Sequence, residues 1–454
     1  MKKIIKLLTL LMVFMLATNS SFALSISKID KLIKKSDLNE TATIAISIKN
    51  ADKNEVVYEQ NSKKLVHPAS TLKIFTTYSS MDMLGEDYTF KTSFLKDAQN
   101  NLYIKLGADP FLTTSQLNRA FQTLKDMGAT HFNNLYFDDS ILDKKEFATG
   151  WMWDDDMNPY TPKVSSYNLD NNVVKLDMAS MDDGKVFASL KTTYPMTVVS
   201  NIQSGAKKDY IEVNRYNWNN PEVVEVYATI AKPREVSIPI SSMRRYFIHN
   251  LERIIDDNRI SFSGTKYSSQ LAPSNSEILT EIEHPVSSVL TPILHNSNNL
   301  MAETIFKLAA AKKYTATGSD MLASQAFSEF YKKNGVSTED IIIRDGCGVS
   351  RNNLVYVDWM TKTLNKIYKM KQFESFKANM AQAGDGTLSN RLHDLRGEAW
   401  LKTGSLSNIS AIAGYVQSQD GNLYSVAIVI QNFKDEQEKI KAFEDEIIKL
   451  IYNR

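Results

Sequence analysis

Both ends of the chain combine strand patterns with a long helix pattern, and this most constrains the fold. Alternating apolar and polar side chains predict two strands near the amino terminus and three near the carboxyl terminus. The five predicted strands are residues 41–49, 55–60, 398–402, 409–417 and 423–431. Apolar side chains at helical spacing predict a helix at 69–84 and another at 433–453. We therefore expect one antiparallel sheet built from both chain ends, with helices against it.

The segment between these ends has a different pattern. From about residue 87 to 270, short β-like runs are broken by Asn, Asp, Gly and Pro, and helical stretches stand only at 114–127 and 241–256. Helical patterns return at 286–312 and 319–334. This indicates one domain split by a β-rich insertion. The predicted division is a domain of residues 24–88 plus 281–454 and an inserted region of residues 89–280, with a nested subdomain at about 168–235.

The first residues have the pattern of an export signal. Lysines at positions 2, 3 and 6 precede an apolar run at 7–17, and small residues stand at 21 and 23, the two positions that a signal peptidase reads. We expect residues 1–23 to be a signal peptide and the protein to be exported. The apolar run is shorter than the ~20 residues of a membrane span. A retained anchor with weak membrane association is the alternative.

Composition excludes several classes of function. The 53 Lys and Arg against 52 Asp and Glu give a formal charge of +1, so the chain lacks the basic excess of a nucleic-acid binder. The single cysteine, Cys347, excludes an internal disulfide framework and a thiolate-built metal site. The six histidines form no His-Glu-x-x-His pair, and Gly-x-Ser-x-Gly is absent. Neither metal-assisted hydrolysis nor serine hydrolysis with a histidine base has support.

The chain does carry a pattern that suits a lysine-activated serine. Ser70 and Lys73 stand at i and i+3 at the start of the predicted helix at 69–84, so they face the same side. A lysine can take the serine proton only where a desolvated or cation-rich site lowers the lysine pKa. The same spacing recurs by accident at Ser25/Lys28, Ser93/Lys96, Ser204/Lys207 and Ser263/Lys266.

Two further motifs single out Ser70 from these accidental matches. Ser297-Asn298-Asn299 and then Lys402-Thr403-Gly404 follow it in the order that Ser-x-x-Lys enzymes require. Only the match at Ser70 joins a predicted hairpin to a long apolar helix.

These residues resemble the penicillin-recognising serine enzymes, and within them the D-alanyl-D-alanine carboxypeptidase/endopeptidase type, the class C low-molecular-weight penicillin-binding proteins. The resemblance covers nearly all of the chain after residue 23. Its motifs are Pro68-Ala69-Ser70-Thr71-Leu72-Lys73, Gly107-Ala108-Asp109-Pro110, Ser297-Asn298-Asn299, residues 344–351, residues 384–388 with Arg391, residues 402–406 and Gly414-Tyr415. It implies an α+β fold: a β-lactamase/transpeptidase-like domain, with an antiparallel sheet flanked by helices, and a large β-rich insertion.

The resemblance also implies the chemistry. Ser70 attacks the D-Ala-D-Ala carbonyl to form an acyl-enzyme, Lys73 accepts the serine proton, and Ser297 passes a proton to the leaving amine. The implied substrate-binding residues are Asn299, Lys402, Thr403, Gly404 and Ser405, with the backbone N–H groups of Ser70 and Ser405 as the oxyanion hole. No metal or cofactor is implied. The implied partners are peptidoglycan stem peptides and, as covalent inhibitors, β-lactam antibiotics.

Other interpretations stay open at the level of sequence. A β-lactamase shares the three motifs but needs a deacylating carboxylate, and no convincing Glu-x-x-Leu-Asn segment stands near the second and third motifs. A non-catalytic wall-binding protein of the same fold is the other alternative. Cys347 replaces a serine of the family loop, and Asn298 stands where Asp is common. The balance of carboxypeptidase and cross-link endopeptidase action, the diamino acid of the stem and the oligomeric state stay undetermined.

Overall fold

The computed structural model describes residues 27–36, 38–180, 186–204, 209–215 and 220–454. The predicted signal peptide, residues 1–23, lies outside the described residues. Within the described ranges, no helix is long and apolar enough to cross a bilayer.

Eighteen strands and eleven α-helices are assigned in the described part of the chain. The strands are Thr43–Asn50 (β1), Val56–Gln60 (β2), Thr89–Lys96 (β3), Leu102–Lys105 (β4), His131–Phe132 (β5), Leu135–Asp138 (β6), Val173–Ser180 (β7), Val186–Leu190 (β8), Thr197–Ser204 (β9), Tyr210–Asn214 (β10), Val223–Ile230 (β11), Arg234–Pro239 (β12), Ser261–Phe262 (β13), Lys266–Ser269 (β14), Glu277–Pro285 (β15), Ala399–Leu406 (β16), Ile409–Gln417 (β17) and Leu423–Gln431 (β18). The helices are residues 27–35 (α1), Leu38–Thr41 (α2), Lys73–Leu84 (α3), Thr114–Asp126 (α4), Met243–Asn258 (α5), Leu290–Leu294 (α6), Asn299–Tyr314 (α7), Asp320–Lys333 (α8), Val357–Tyr368 (α9), Phe373–Ala378 (α10) and Gln437–Tyr452 (α11). Short 3₁₀ helices are Ala69–Leu72, Trp153–Met157, Asp170–Asn172, Val286–Val289, Gly386–Leu388 and His393–Leu395.

One antiparallel sheet contains strands from both chain ends, in the order β16-β17-β18-β1-β2. The predicted sheet and the α+β class are therefore confirmed. Strand β16 lies at the edge of the sheet, and it continues to residue 406, beyond the predicted end at 402.

The two faces of this sheet are covered by different helices. Along β1, the isoleucines at 44, 46 and 48 lie in a buried cluster with apolar residues of α1 and α11. Ala45 faces the other way, into a larger core with apolar residues of α3, α7, α8 and α9. Alternation along a strand sends successive side chains to opposite faces. Alanines at 411, 413 and 427 also line the second face, and their small side chains let the helices approach the sheet closely.

The inserted region forms its own sheets. A mixed five-stranded sheet has the order β14-β6-β4-β3-β15, and two three-stranded sheets have the orders β12-β7-β8 and β10-β11-β9. A separate hydrophobic cluster, whose members run from Phe94 to Leu279, packs α4 and α5 against these strands. The helices predicted at 114–127 and 241–256 are thus present as α4 and α5, within two residues.

The helix pattern at 286–312 is interrupted, so an unbroken helix there is wrong. Residues 286–289 are 3₁₀, α6 ends at Leu294, and α7 begins only at Asn299. Ser297 has a φ of +65°, in the left-handed region that a continuing helix does not use. The Asn298 side chain then caps α7 by accepting a hydrogen bond from the Met301 N–H. This break turns the chain at the second motif.

Candidate active site

The first motif opens α3 through a tight 3₁₀ turn. Ala69–Leu72 is 3₁₀, and α3 continues directly from Lys73. The Thr71 hydroxyl donates to the Pro68 carbonyl at 2.5 Å and fixes the turn. Ala69 has a φ of +45°, which costs a non-glycine residue backbone strain. Ser70, at the head of the helix, is left partly exposed.

Two glycines let other segments approach this turn. A Cβ built at Gly404 of β16 would lie 2.8 Å from the Ser70 nitrogen and 2.9 Å from the Ala69 Cβ. A Cβ at Gly348 would lie 2.0 Å from the Ala69 carbonyl oxygen, and Gly348 also has a φ of +84°. The resemblance to the penicillin-recognising serine enzymes implies that the space beside Gly404 lets the substrate backbone approach closely. In the structure, the protein's own turn at residues 68–70 already occupies part of it.

Lys73 is fully buried and bonds directly to the nucleophile candidate. Its Nζ donates to the Ser70 Oγ at 2.9 Å and to the Cys347 carbonyl oxygen at 2.6 Å. Burial lowers the pKa of Lys73, and its electrostatic interactions with Cys347, Asp345 and Glu303 oppose that shift. A lysine in this environment can be neutral and accept a proton from Ser70.

Lys402 of the third motif is also fully buried, in edge strand β16. Its Nζ donates to the Thr403 carbonyl oxygen at 2.9 Å. Burial, and then the positive charge of Lys73, hold the pKa of Lys402 well below its usual range. Because the repulsion between two ammonium groups is mutual, Lys402 disfavours a proton on Lys73 as well. Farther along β16, Thr403 is half-buried and Ser405 is exposed.

The second motif lies at the start of α7. Ser297 is half-buried, and its N–H donates to the Ile293 carbonyl at 3.1 Å. Asn299 is 9% exposed, and its Nδ2 donates to the Tyr160 carbonyl oxygen at 2.5 Å. Its buried Oδ1 has no hydrogen-bond partner within the described part of the chain. The amide oxygen is therefore the group of Asn299 that is left to accept an N–H from a ligand.

A buried carboxylate shapes the loop that carries Cys347. Asp345 Oδ1 accepts from the Gly348 N–H at 2.8 Å and from Asn353 Nδ2 at 2.6 Å. Its Oδ2 accepts from the Ser350 N–H at 2.6 Å and from the Trp151 indole at 2.9 Å. These four donors fold residues 345–353 around one fully buried side chain, which is a structural use of Asp345.

Glu303, Asp345 and Cys347 bring ligand atoms within 4.8 Å of one another. Each Asp345 oxygen already accepts two N–H donors. Burial raises the pKa of the Cys347 thiol well above its usual range, which disfavours the thiolate that a metal needs. The donor set of this trio fits a hydrogen-bond network and not a metal centre.

Three residues at this site were missed in the sequence. Trp151 and Tyr160 come from the inserted region and reach Asp345 and Asn299, and no local pattern marks such long-range contacts. Glu303 could have been found, because it is an acid in the apolar run 300–306 and stands four residues after Asn299, on the same helix face. His295 pairs with the exposed Asp385 at 3.2 Å and lies beside the second motif.

Comparisons with known proteins match one family over nearly the whole chain. The model of the D-Ala-D-Ala carboxypeptidase 3 (S13) family matches residues 25–452. The D-alanyl-D-alanine carboxypeptidase DacB of Haemophilus influenzae is 24% identical over 440 residues, which cover 93% of this chain and 92% of the relative. The D-alanyl-D-alanine carboxypeptidase of Actinomadura sp. is 22% identical over 427 residues, 85% of this chain and 77% of the relative.

Solved structures show the same fold. The crystal structure of penicillin-binding protein 4 (dacB) from Haemophilus influenzae superposes with a TM-score of 0.82 at 24% identity, covering 94% of this chain and 99% of that one. A second structure of that protein, complexed with a β-lactam, has a TM-score of 0.75 at 23% identity and the same coverage.

Proposed function

Because the chain belongs to the D-Ala-D-Ala carboxypeptidase 3 (S13) family and is a serine-type D-Ala-D-Ala peptidase, we propose that Ser70 is its nucleophile and Lys73 its general base. The observation that carries this assignment is the 2.9 Å contact between the fully buried Lys73 Nζ and the Ser70 Oγ. Neutral Lys73 takes the hydroxyl proton as Ser70 Oγ bonds to the D-Ala carbonyl carbon. The collapse of the tetrahedral intermediate breaks the peptide bond and leaves an acyl-enzyme.

Ser297 carries the proton to the leaving amine. Its left-handed backbone sets it at the turn before α7, where it is partly exposed, as Ser70 is. The leaving D-alanine takes the proton that Lys73 accepted, passed on through Ser297. Water then attacks the ester, and the same groups return the proton to Ser70. The proton transfers of this cycle are carried by Lys73, Ser297 and water.

The substrate is held by the second and third motifs. The buried Asn299 Oδ1, which lacks a partner among the described residues, accepts an N–H of the stem peptide. Lys402 and the Thr403 hydroxyl bind the terminal carboxylate, and Gly404 keeps β16 close to the turn at Ser70. The backbone N–H groups of Ser70 and Ser405 stabilise the oxyanion, a contribution of about 3 kcal/mol per donor.

The substrates are peptidoglycan stem peptides that end in D-Ala-D-Ala, and β-lactams acylate the same serine. The β-lactam complex of the Haemophilus influenzae relative supports the second statement. A cross-link between D-Ala and a diamino acid presents the same carbonyl to Ser70, so cross-link cleavage follows the same path. The pattern of residues 1–23 supports export, with the periplasm as the compartment.

The division of the chain is also part of the proposal. We assign residues 24–88 plus 281–454 to the catalytic domain and 89–280 to the insertion, with the nested subdomain at about 168–235. A hydrophobic cluster confined to residues 94–279 supports a separate core for the insertion.

The test is D-alanine release from a pentapeptide, run beside covalent labelling by a fluorescent penicillin. Ser70→Ala should abolish both. Ser263→Ala is the matched control, because Ser263 belongs to an accidental Ser-x-x-Lys match and is exposed; it should keep both. Unchanged D-alanine release by Ser70→Ala would refute the assignment. Rapid turnover of penicillin, in place of a long-lived adduct, would make the protein a β-lactamase.

A further inference from the structure

Glu303 is a buried acid that the reaction above does not use. It lies on α7, one turn after Asn299, and is 1% exposed. Its Oε1 accepts from the Gly346 N–H at 2.6 Å and from the Cys347 N–H at 2.7 Å. Its Oε2 is buried and has no partner within the described ranges.

These bonds connect Glu303 to the base through one residue. Cys347 gives its N–H to Glu303, and its carbonyl oxygen accepts from Lys73 Nζ at 2.6 Å. Next to it, the Gly346 carbonyl accepts from the Thr76 hydroxyl of α3 at 2.6 Å. The Lys73 ammonium or amine is therefore held between Ser70 and a carbonyl whose own residue is anchored by Glu303.

The charged and titratable groups around Lys73 and Glu303 come from four elements. Lys73 faces Lys402 of β16, Asp345 and Cys347 of the loop, and Glu303 of α7. Glu303 in turn faces Asp345, Asp320 of α8 and Lys307 of its own helix. Burial, followed by the negative charges of Asp345 and Asp320, raises the pKa of Glu303 to about 8. Its carboxyl group thus titrates within the range in which an exported peptidase is assayed.

We propose that Glu303 is a positioning residue of the acylation step, which holds the Cys347 carbonyl against Lys73 and adds a titratable carboxyl group to the buried charges around the base. The inference rests on the proposed roles of Ser70 and Lys73. A purely structural acid would need only its Oε1 contacts. The unpartnered Oε2 carries no such contact, and the carboxylate charge acts on Lys73 once the pH exceeds the Glu303 pKa of about 8.

Two substitutions separate position from charge. Glu303→Gln keeps an oxygen for the two N–H donors and removes the charge, whereas Glu303→Ala removes both. The measurement is the second-order rate constant for acylation by a fluorescent penicillin from pH 5 to 10. With Glu303→Gln, the rate at the optimum should stay within about threefold of the unmodified protein. The ratio of its rate to that of the unmodified protein should rise by about twofold or more between pH 6 and pH 9. Above its pKa of about 8 the Glu303 carboxyl group of the unmodified protein is ionised, and in Glu303→Gln this negative charge, which stabilises protonated Lys73, is gone.

Glu303→Ala should acylate at least about tenfold more slowly across the range, because the Gly346 and Cys347 N–H groups lose their acceptor. Thermal unfolding checks that each variant is folded. Glu444→Gln is the matched control: Glu444 is 0% exposed, pairs with Arg391 at 2.9 Å and is not among the charges that act on Lys73. It should alter thermal stability and leave the acylation profile unchanged.

A ratio of the two rates that is the same at pH 6 and at pH 9 would overturn the role of the charge. Equal rates for Glu303→Ala and Glu303→Gln, both folded, would overturn the positioning. If the proposed function itself were wrong, the result would be different from both of these, because the unmodified protein would then not be acylated at Ser70.

Discussion

The indole Nε1 of Trp151 donates a hydrogen bond to the Asp345 Oδ2 at 2.9 Å. Trp151 belongs to the inserted region, whereas Asp345 starts the loop whose Cys347 carbonyl binds Lys73. Both partners are buried. One hydrogen bond therefore connects the insertion to the residues that hold the base.

Replacing this tryptophan should weaken the loop. Trp151→Phe removes one donor from a buried carboxylate, a loss of about 1.5–3 kcal/mol of stability. Acylation should also slow by several-fold, because the loop no longer fixes the Cys347 carbonyl as firmly. Thermal unfolding and the acylation rate by a fluorescent penicillin measure the two effects.

Trp359→Phe is the control for that prediction. Trp359 is also buried, and its indole donates to the Ser337 carbonyl at 3.0 Å, which is not part of the loop at 345–353. This variant should lose stability and keep its acylation rate. If Trp151→Phe also kept the full acylation rate, the proposed link between the insertion and the base would be absent.

The local part of this site could be predicted from the sequence. Ser70 and Lys73 share a helix face because helical geometry is fixed over three residues, and their Nζ–Oγ distance is 2.9 Å. The sheet from both chain ends could be predicted because β1 and β18 carry clear strand patterns. The break before α7 leaves a signal in the sequence, because residues 295–299 are five consecutive polar residues and Asn298 is a favoured helix N-cap. The left-handed backbone of Ser297 could not be predicted, since it depends on how the chain turns between α6 and α7.

The long-range part of the site needed the structure. Tyr160 accepts a hydrogen bond from Asn299 through its backbone carbonyl. Every residue type has this carbonyl, so the contact cannot be recognised from the sequence. Trp151 reaches Asp345 across 194 positions of the chain. Gly404 was expected to make room for the substrate, but its Cβ position is crowded by residues 68–70. Such close approaches depend on how β16 packs against the turn, which one strand's sequence does not encode.

A side chain at position 404 should disturb the nucleophile directly. In Gly404→Ala, the new Cβ would lie 2.8 Å from the Ser70 nitrogen and 3.1 Å from the Pro68 carbonyl oxygen. Both are backbone atoms, so β16 or the turn must shift. We expect acylation to fall by at least about tenfold, since a displacement of about 1 Å in a reacting group can cost about 100-fold. Stopped-flow measurement of the acylation rate checks this.

Gly397→Ala is the matched control for position 404. It lies shortly before β16, and its Cβ would meet nothing within 4 Å. Its φ of +84° makes the substitution cost backbone strain, so stability should fall while acylation persists. Unimpaired acylation by Gly404→Ala would mean that the contact between β16 and the turn does not control the nucleophile.

Removing the charge of Lys402 should move the pH dependence of acylation in the direction opposite to Glu303→Gln. The two buried ammonium groups of Lys73 and Lys402 repel each other. In Lys402→Gln that repulsion is gone, so the pKa of Lys73 rises. Lys73 acts as a base only when it is neutral, and its neutral fraction is lost as the pH falls through its pKa. The acid limb of acylation should therefore move to higher pH, by about 1 unit.

The pH at which the acid limb of Lys402→Gln lies is measured independently of the acylation rate at the optimum. That rate also falls, because Lys402 contributes to ligand binding. Lys49→Gln is the control, because Lys49 is a buried lysine of β1, in the same sheet, paired with Asp358 at 2.7 Å. Loss of that charge should lower stability and leave the acid limb in place, since Lys49 forms its ion pairs with Glu59 and Asp358 and has no interaction with Lys73 of the kind that Lys402 has. A limb for Lys402→Gln that stays in place or moves to lower pH would show that Lys402 does not hold Lys73 in its neutral form.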